Sequence, residues 1–271
     1  MNKKPIGIFD SGVGGLTVAR EIMRLLPDES IIYLGDTANL PYGEKSAEII
    51  TGYSVANTEF LLEFGIKVLV VACNTASSVA LDFLKRSYDI PIIGVIEPAV
   101  KGAIYSTRNR KIGVIGTNRT IKSDVYARVI CSMDSGMEVF SRACPLFVPL
   151  IEDNFIEHEA TKLIASEYLR EFIENGIDSL ILGCTHYPLI SEIIAGILPS
   201  VKLIDSASST ARDLQSVLET NRMLNESGRK PEKHRFFATD ITDKLDTLAK
   251  RILGFDMSFG EVCLKSRQAK N

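Results

Sequence analysis

The chain has 271 residues, enough for two modest domains or one large one. Its 45% hydrophobic and 24% charged residues and formal net charge of −3 describe an ordinary globular protein, with no electrostatic reason to bind nucleic acid or an anionic membrane. Five cysteines, an odd count without C-x-x-C spacing, argue against a disulfide framework and for a reducing cytoplasm; no secretory signal is read at the start, and no apolar run approaches the ~20 residues of a membrane span.

Short β-branched runs alternate with longer amphipathic patterns. Pro5–Phe9 reads as a strand and Val13–Leu26 as a helix stopped by Pro27. Ile31–Leu34 reads as a strand, Ser46–Phe64 as a helix, Lys67–Val71 as a buried strand, Asn74–Tyr88 as a helix and Pro91–Val95 as a strand. A second series begins with a strand at Lys111–Ile115 and a helix at Ile121–Met133. A strand at Leu146–Leu150 and a helix at Glu157–Asn175 follow, then a strand at Ser179–Leu182, a helix at Pro188–Leu198 and a strand at Val201–Ile204. The last stretch reads as a helix at Ala207–Leu224, a surface loop at Asn225–Lys233, a strand at Arg235–Ala238, a helix at Thr242–Leu253 and a frayed end at Lys265–Asn271. Such alternation predicts parallel sheets covered by helices on both faces.

The two series resemble each other. Ile6-Gly7-Ile8-Phe9-Asp10-Ser11 parallels Ile112-Gly113-Val114-Ile115-Gly116-Thr117, and Ile93–Glu97 parallels Leu203–Ser206. In this register Cys73 and Cys184 fall at matching places, each after an apolar run and before a threonine-bearing turn that opens a helical pattern. The expectation is an α/β fold of two pseudo-symmetric, open, mostly parallel sheet domains flanked by helices, with the active site in the cleft between them.

Cys131, Cys144 and Cys263 read as small hydrophobes. At their helix starts, Cys73 and Cys184 should instead be tuned toward thiolate by the helix dipole and nearby donors. Cys73, Cys184 and His186 could be read as a zinc set. However, Cys-Thr-His spacing suits a tetrahedral site poorly and no fourth ligand is recognisable, so no metal is expected. His186 can hydrogen-bond the Cys184 thiol or hold a carboxylate, and Glu152, placed just after a predicted strand, can orient His186. The glycines of Phe9-Asp10-Ser11-Gly12-Val13-Gly14-Gly15 are spaced wrongly for a dinucleotide fingerprint. The Gly35–Lys45 loop lies at a strand's C-terminal end, where open α/β sheets hold ligands. Two thiols from opposite halves suit removal of a proton from one face of a carbon and its return to the other.

These blocks, together with Leu40-Pro41-Tyr42-Gly43, Ala72-Cys73-Asn74-Thr75-Ala76, Val114-Ile115-Gly116-Thr117 and Leu182-Gly183-Cys184-Thr185-His186-Tyr187-Pro188, resemble the glutamate racemase family of the aspartate/glutamate racemase superfamily, from Pro5 to about Leu253. The resemblance implies a cofactor-independent isomerase that interconverts L- and D-glutamate, in the cytoplasm, to supply D-glutamate for peptidoglycan, with a homodimer plausible. It implies Cys73 and Cys184 as the acid/base pair, Cys73 taking the proton from the D-isomer and Cys184 from the L-isomer. Asp10 would assist Cys73, and Glu152 and His186 would assist Cys184. Substrate contacts would come from Asp10, Ser11, Pro41, Tyr42, Gly43, Asn74, Thr75, Thr117, Thr185 and His186. Asn118-Arg119 stands where close relatives would carry a small apolar pair, which leaves open whether Thr117 or Thr120 meets the substrate. Without a long N-terminal extension, activation by a cell-wall precursor is not expected. The final helix–strand–helix should return to the first sheet. Residues 1–97 and 208–271 are therefore expected to form the domain carrying Cys73, and residues 98–207 the domain carrying Cys184.

Other members of the superfamily act on aspartate, hydantoins or maleate, and a non-catalytic amino-acid sensor could use the same cleft. The Asp-Ser-Gly-Val-Gly-Gly and Gly-Cys-Thr-His-Tyr-Pro blocks favour glutamate, and simple binding does not call for two thiols. An amino-acid α-proton is far less acidic than a thiol. Hydroxyl, amide and backbone donors on the α-carboxylate, from Asn74, Thr75 and Thr185, must therefore stabilise the developing carbanion in a dry cleft.

Overall fold

The computed structural model describes residues 3–225 and 234–264. In chain order the elements are β1 (Ile6–Asp10), α1 (Leu16–Leu25), β2 (Ile31–Gly35), α2 (Ala47–Leu62), β3 (Val68–Val71), α3 (Asn74–Val79), α4 (Leu81–Ser87), β4 (Ile92–Gly94) and α5 (Ile96–Ser106). The second series is β5 (Lys111–Gly116), α6 (Asn118–Lys122), α7 (Val125–Met133), β6 (Glu138–Ala143), α8 (Phe147–Glu152), α9 (Glu159–Asn175), β7 (Ser179–Gly183), α10 (Ser191–Ile197) and β8 (Lys202–Asp205). Then come α11 (Ser206–Thr220), β9 (Arg235–Ala238), α12 (Asp243–Leu253) and β10 (Phe259–Glu261).

The strands form two sheets, ordered β10-β9-β2-β1-β3-β4 and β6-β5-β7-β8, and every pairing in both is parallel. The order β2-β1-β3-β4 is repeated as β6-β5-β7-β8, which is the expected pseudo-symmetry. Side chains alternate across each strand. Thus Val68 and Val70 of β3 enter one core with α1 and α11, while Leu69 and Val71 enter another with α2 and α4. In the second sheet Leu180 and Leu182 face one core and Ile181 the other. Helices cover both faces, so the central strands are mostly apolar. Among the described residues no helix is long and apolar enough to cross a membrane.

The structure corrects several sequence-based expectations. Leu146–Leu150 is not a strand. It lies in α8, while the strand beside β5 is the earlier β6. Pro149 explains why: it has no N–H for a sheet ladder but fits the first turn of a helix, where that donor has no partner. Glu152 accordingly ends a helix rather than following a strand. The helix read at Asn74–Tyr88 breaks at Ala80 into α3 and α4, and Pro188–Leu198 divides into a 3₁₀ turn at Tyr187–Ile190 followed by α10. The α5 helix and the β10 strand had no counterpart in the sequence reading. Beyond Asn225, the loop read at Asn225–Lys233 lies outside the described residues, as does the end read at Lys265–Asn271.

Candidate active site

The C-terminal ends of β1, β3, β5 and β7 converge from the two sheets on one small cavity. Open parallel sheets hold ligands at this edge because the strand-to-helix turns there present backbone donors and short side chains. Its walls include Ser11, Pro41, Tyr42, Gly43, Cys73, Asn74 and Thr75 from the first sheet unit, and Thr117, Cys184, Thr185 and His186 from the second. All of these except Pro41, Gly43 and Thr117 are buried. The structure brings the sequence-predicted segments together, and Cys73 and Cys184 line the same small space.

Cys73 caps α3, its sulfur accepting from the Ala76 N–H at 3.4 Å and its thiol donating to Ser11 Oγ at 3.5 Å. Asp10, at the end of β1, is fully buried and accepts from the Gly12 N–H at 2.9 Å. Burial raises the Asp10 pKa above the usual carboxylate range, opposed by the charge of His186 and by the backbone N–H groups of Gly12, Gly15 and Ser11. For Cys73, burial and then the Asp10 carboxylate push the thiol up to about 12, against the smaller pull of Ser11 and the Ala76 N–H. The expectation that its helix start would favour thiolate is therefore overturned at Cys73. Desolvation and an adjacent anion outweigh one turn of helix.

Cys184 has a different neighbour. Its sulfur lies 3.9 Å from His186 Nδ1, and His186 Nε2 lies 3.1 Å from Glu152 Oε1. The latter is an ion-pair contact that is not aligned as a hydrogen bond, and neither atom has another partner. Burial works to lower the His186 pKa, but contacts with Cys184 and Glu152 dominate and raise it to about 10. An imidazolium thus stands beside Cys184, whereas a carboxylate stands beside Cys73.

The two halves are held shut by direct contacts. Thr185 Oγ1 reaches Asp10 Oδ1 at 3.5 Å, and Thr17 Oγ1 donates to Thr185 O at 3.4 Å. Thr75 Oγ1 lies 3.0 Å from Thr117 Oγ1 and 3.3 Å from Thr120 Oγ1. Thr117 is on the cavity wall, while Thr120 is buried behind it. At the mouth, Asn118 donates to Glu44 at 2.9 Å and Arg119 Nε donates to Lys45 O at 2.8 Å. Two glycines permit this approach. A Cβ at Gly14 would come within 2.6 Å of His186 Nδ1, and one at Gly43 within 2.8 Å of Thr117 Cβ.

Some site features were not read from sequence. The Tyr42 hydroxyl donates to Asp36 at 2.5 Å and accepts from Asn57 at 3.1 Å, so it anchors the loop and leaves backbone to face the cavity. The sequence signal for Asp36 was its place directly after β2, one position beyond the strand-end place that Asp10 holds in β1. Tyr126, which accepts from Asn74 Nδ2 at 2.8 Å across the cleft, carried no local signal.

Two parallel-sheet units closing a thiol-bearing cavity between their strand ends define the class: the chain belongs to the Asp/Glu/Hydantoin racemase family, whose model matches residues 9–214. More particularly, its relatives are glutamate racemases. It is 48% identical over 252 residues to that of Persephonella marina, covering 93% of this chain and 94% of the relative. The crystal structure of glutamate racemase isoform RacE1 from Bacillus anthracis superposes with a TM-score of 0.94 at 41% identity, covering 97% of this chain and 99% of the other. The Francisella tularensis glutamate racemase, solved in complex with D-glutamate, gives 0.92 at 40% identity, covering 98% and 100%.

Proposed function

We propose that the chain is a cofactor-independent racemase that interconverts L- and D-glutamate through Cys73 and Cys184, and that it supplies D-glutamate for peptidoglycan in the cytoplasm. The observation that carries this reading is the pair of cysteines lining one cavity from equivalent strand ends. The relatives named above support glutamate as the substrate.

In the D-to-L direction the Cys73 thiolate removes the α-proton, leaving an enolate-like carbanion. The Cys184 thiol then delivers a proton to the opposite face, and the reaction ends with Cys73 as thiol and Cys184 as thiolate. The L-to-D direction reverses these roles. Thr75, Thr117 and Thr185 offer hydroxyls, and the Tyr42–Gly43 turn offers backbone N–H groups, to the two carboxylates. Donors preset in a buried cavity stabilise the developing charge without reorganising. Asp10 and Ser11 set the Cys73 side, and Glu152 and His186 set the Cys184 side. Pro41 shapes the loop that carries Tyr42 and Gly43.

Residues 1–97 and 208–271 are assigned to one domain and residues 98–207 to the other. Supporting this, Ala211, Leu214 and Leu218 pack in the core shared with α1, whereas Ala99, Val100 and Ala103 of α5 pack with β5 and β7. A homodimer is part of the proposal, and sedimentation velocity tests it. The test of function is circular dichroism of L- and D-glutamate with purified protein in deuterated buffer, with and without chelator. Racemisation with deuterium entering the α-position is expected. Turnover of aspartate but not glutamate would falsify the substrate assignment.

A further inference from the structure

Asn74 is 2% exposed, lines the cavity and gives one amide N–H to Tyr126 Oη at 2.8 Å. Its Oδ1 is also buried but has no hydrogen-bond partner. A buried carbonyl oxygen without a donor is unfavourable and uncommon in folded proteins. The orphan is an acceptor, so its complement is a donor. At neutral pH the two carboxylates of glutamate only accept; the α-ammonium alone donates.

Tyr126 stands opposite, on α7 of the second sheet unit, itself 2% exposed. Its ring lies against Gly183, where a Cβ would come within 3.2 Å of Cε2, so the hydroxyl is held in place beside the turn that carries Cys184. Burial raises the Tyr126 pKa, keeping the hydroxyl neutral.

We infer that Tyr126 is a positioning residue: by accepting from the Asn74 amide nitrogen it fixes that amide with Oδ1 free to accept from the substrate's α-ammonium. The bond crosses the cleft, so the ammonium-reading amide is set only when the domains are together. Asn74 thereby reads the ammonium, while the threonine hydroxyls remain for the carboxylates. This inference rests on glutamate as the substrate.

The test uses Y126F, which removes the hydroxyl and keeps the ring, together with glutarate, which has both carboxylates and no ammonium. KM for L- and D-glutamate should rise roughly three- to tenfold, the worth of one hydrogen bond. The inhibition constant of glutarate should stay within about twofold of the unmodified chain. A general loosening of the cleft would weaken glutarate by the same factor as glutamate, and that result overturns the inference. So does an unchanged KM in Y126F. In an N74A background, Y126F should add nothing further; multiplicative effects of the two substitutions overturn the coupling. An unmodified chain that fails to racemise glutamate overturns the functional reading and this inference with it.

Discussion

The Cys73 and Cys184 half-sites occupy equivalent places in a repeated frame, yet their surroundings carry opposite charge. Cys73 follows β3 and faces the buried Asp10 carboxylate, which together with burial takes its pKa to about 12. Cys184 follows β7 and faces His186, whose own pKa is raised to about 10 despite burial by its contacts with Cys184 and Glu152. The repeat supplies position, and the neighbours supply protonation. In a two-base reaction one sulfur begins as base while the other begins as acid, and unlike surroundings bias which of the two protonation states predominates. Burial and Asp10 favour the thiol form of Cys73, the form that donates the proton in the proposed L-to-D direction. Since the enantiomers have equal free energy, kcat/KM must be the same in both directions at every pH. Inequality between the half-sites therefore appears in kcat and KM taken separately, and in isotope exchange.

The sharpest break of this comparison is to remove each sulfur. C73A and C184A should each lose racemisation by at least about 10²–10⁴-fold. Each should keep α-proton exchange with solvent deuterium for only one enantiomer: L-glutamate in C73A, D-glutamate in C184A. Nuclear magnetic resonance of the α-position reads this directly. Exchange of both enantiomers by either variant would show that one cysteine serves both faces.

Next in size is the imidazolium. H186N should lower kcat by about 10–100-fold while changing the Cys73 side little. Because the folded-state pKa of His186 is raised from 6.5 to about 10, its charge, and the stability that comes with it, is fully present below 6.5 and lost as pH rises through about 10. The alkaline limb of kcat/KM should follow that loss. E152Q removes one of the contacts raising the pKa, so it should move the limb to lower pH with a smaller fall in rate than H186N. A limb that stays in place in E152Q would separate Glu152 from His186.

Much of this was legible in sequence because it rests on local pattern. The β1, β3, β5 and β7 strands are short, mostly apolar runs leading to Asp10, Cys73, Thr117 and Cys184, and side-chain alternation and turn chemistry mark such ends. The β6 strand was missed because it is an edge strand whose residues are all at least partly exposed, with Glu138, Ser141 and Arg142 interrupting the apolar pattern. A neighbouring apolar run with Pro149 took its place in the reading. Tyr126 could not be found locally, since only the meeting of two sheets brings it to Asn74, 52 residues away. The direction of the Cys73 shift was missed for a related reason. A helix start is visible in sequence, but enclosure by a second domain is not.

A smaller effect is expected at the mouth of the cavity, where Asn118 and Arg119 tie α6 to the 42–45 turn. These contacts are partly exposed, so each is worth little. E44A and R119A should raise KM about two- to threefold, with kcat unchanged or slightly higher as release becomes easier. Dependence of kcat on solvent viscosity should weaken in step. If both variants leave KM and viscosity dependence unchanged, the mouth does not govern exchange, and the half-sites alone set the rate.

The last effect concerns stability and is confined to alkaline pH. The Cys73 pKa rises from an ordinary 9.0 to about 12 on folding, so the folded chain holds a proton that the unfolded chain gives up. The associated stability is fully present below pH 9 and is lost as pH rises toward 12, at about 1.4 kcal/mol per pH unit for one group. Tyr33, Tyr42, Tyr126, Tyr187 and Cys144 are raised by burial as well, so the whole chain should weaken in alkali. C73S keeps the shape of the side chain and removes this titration. Its denaturant midpoint should parallel that of the unmodified chain below pH 9 and fall less steeply above it, by one proton's worth of slope. C184S isolates the other half-site in the same measurement. Equal slopes in C73S and the unmodified chain would mean that Cys73 is not the buried thiol the comparison requires.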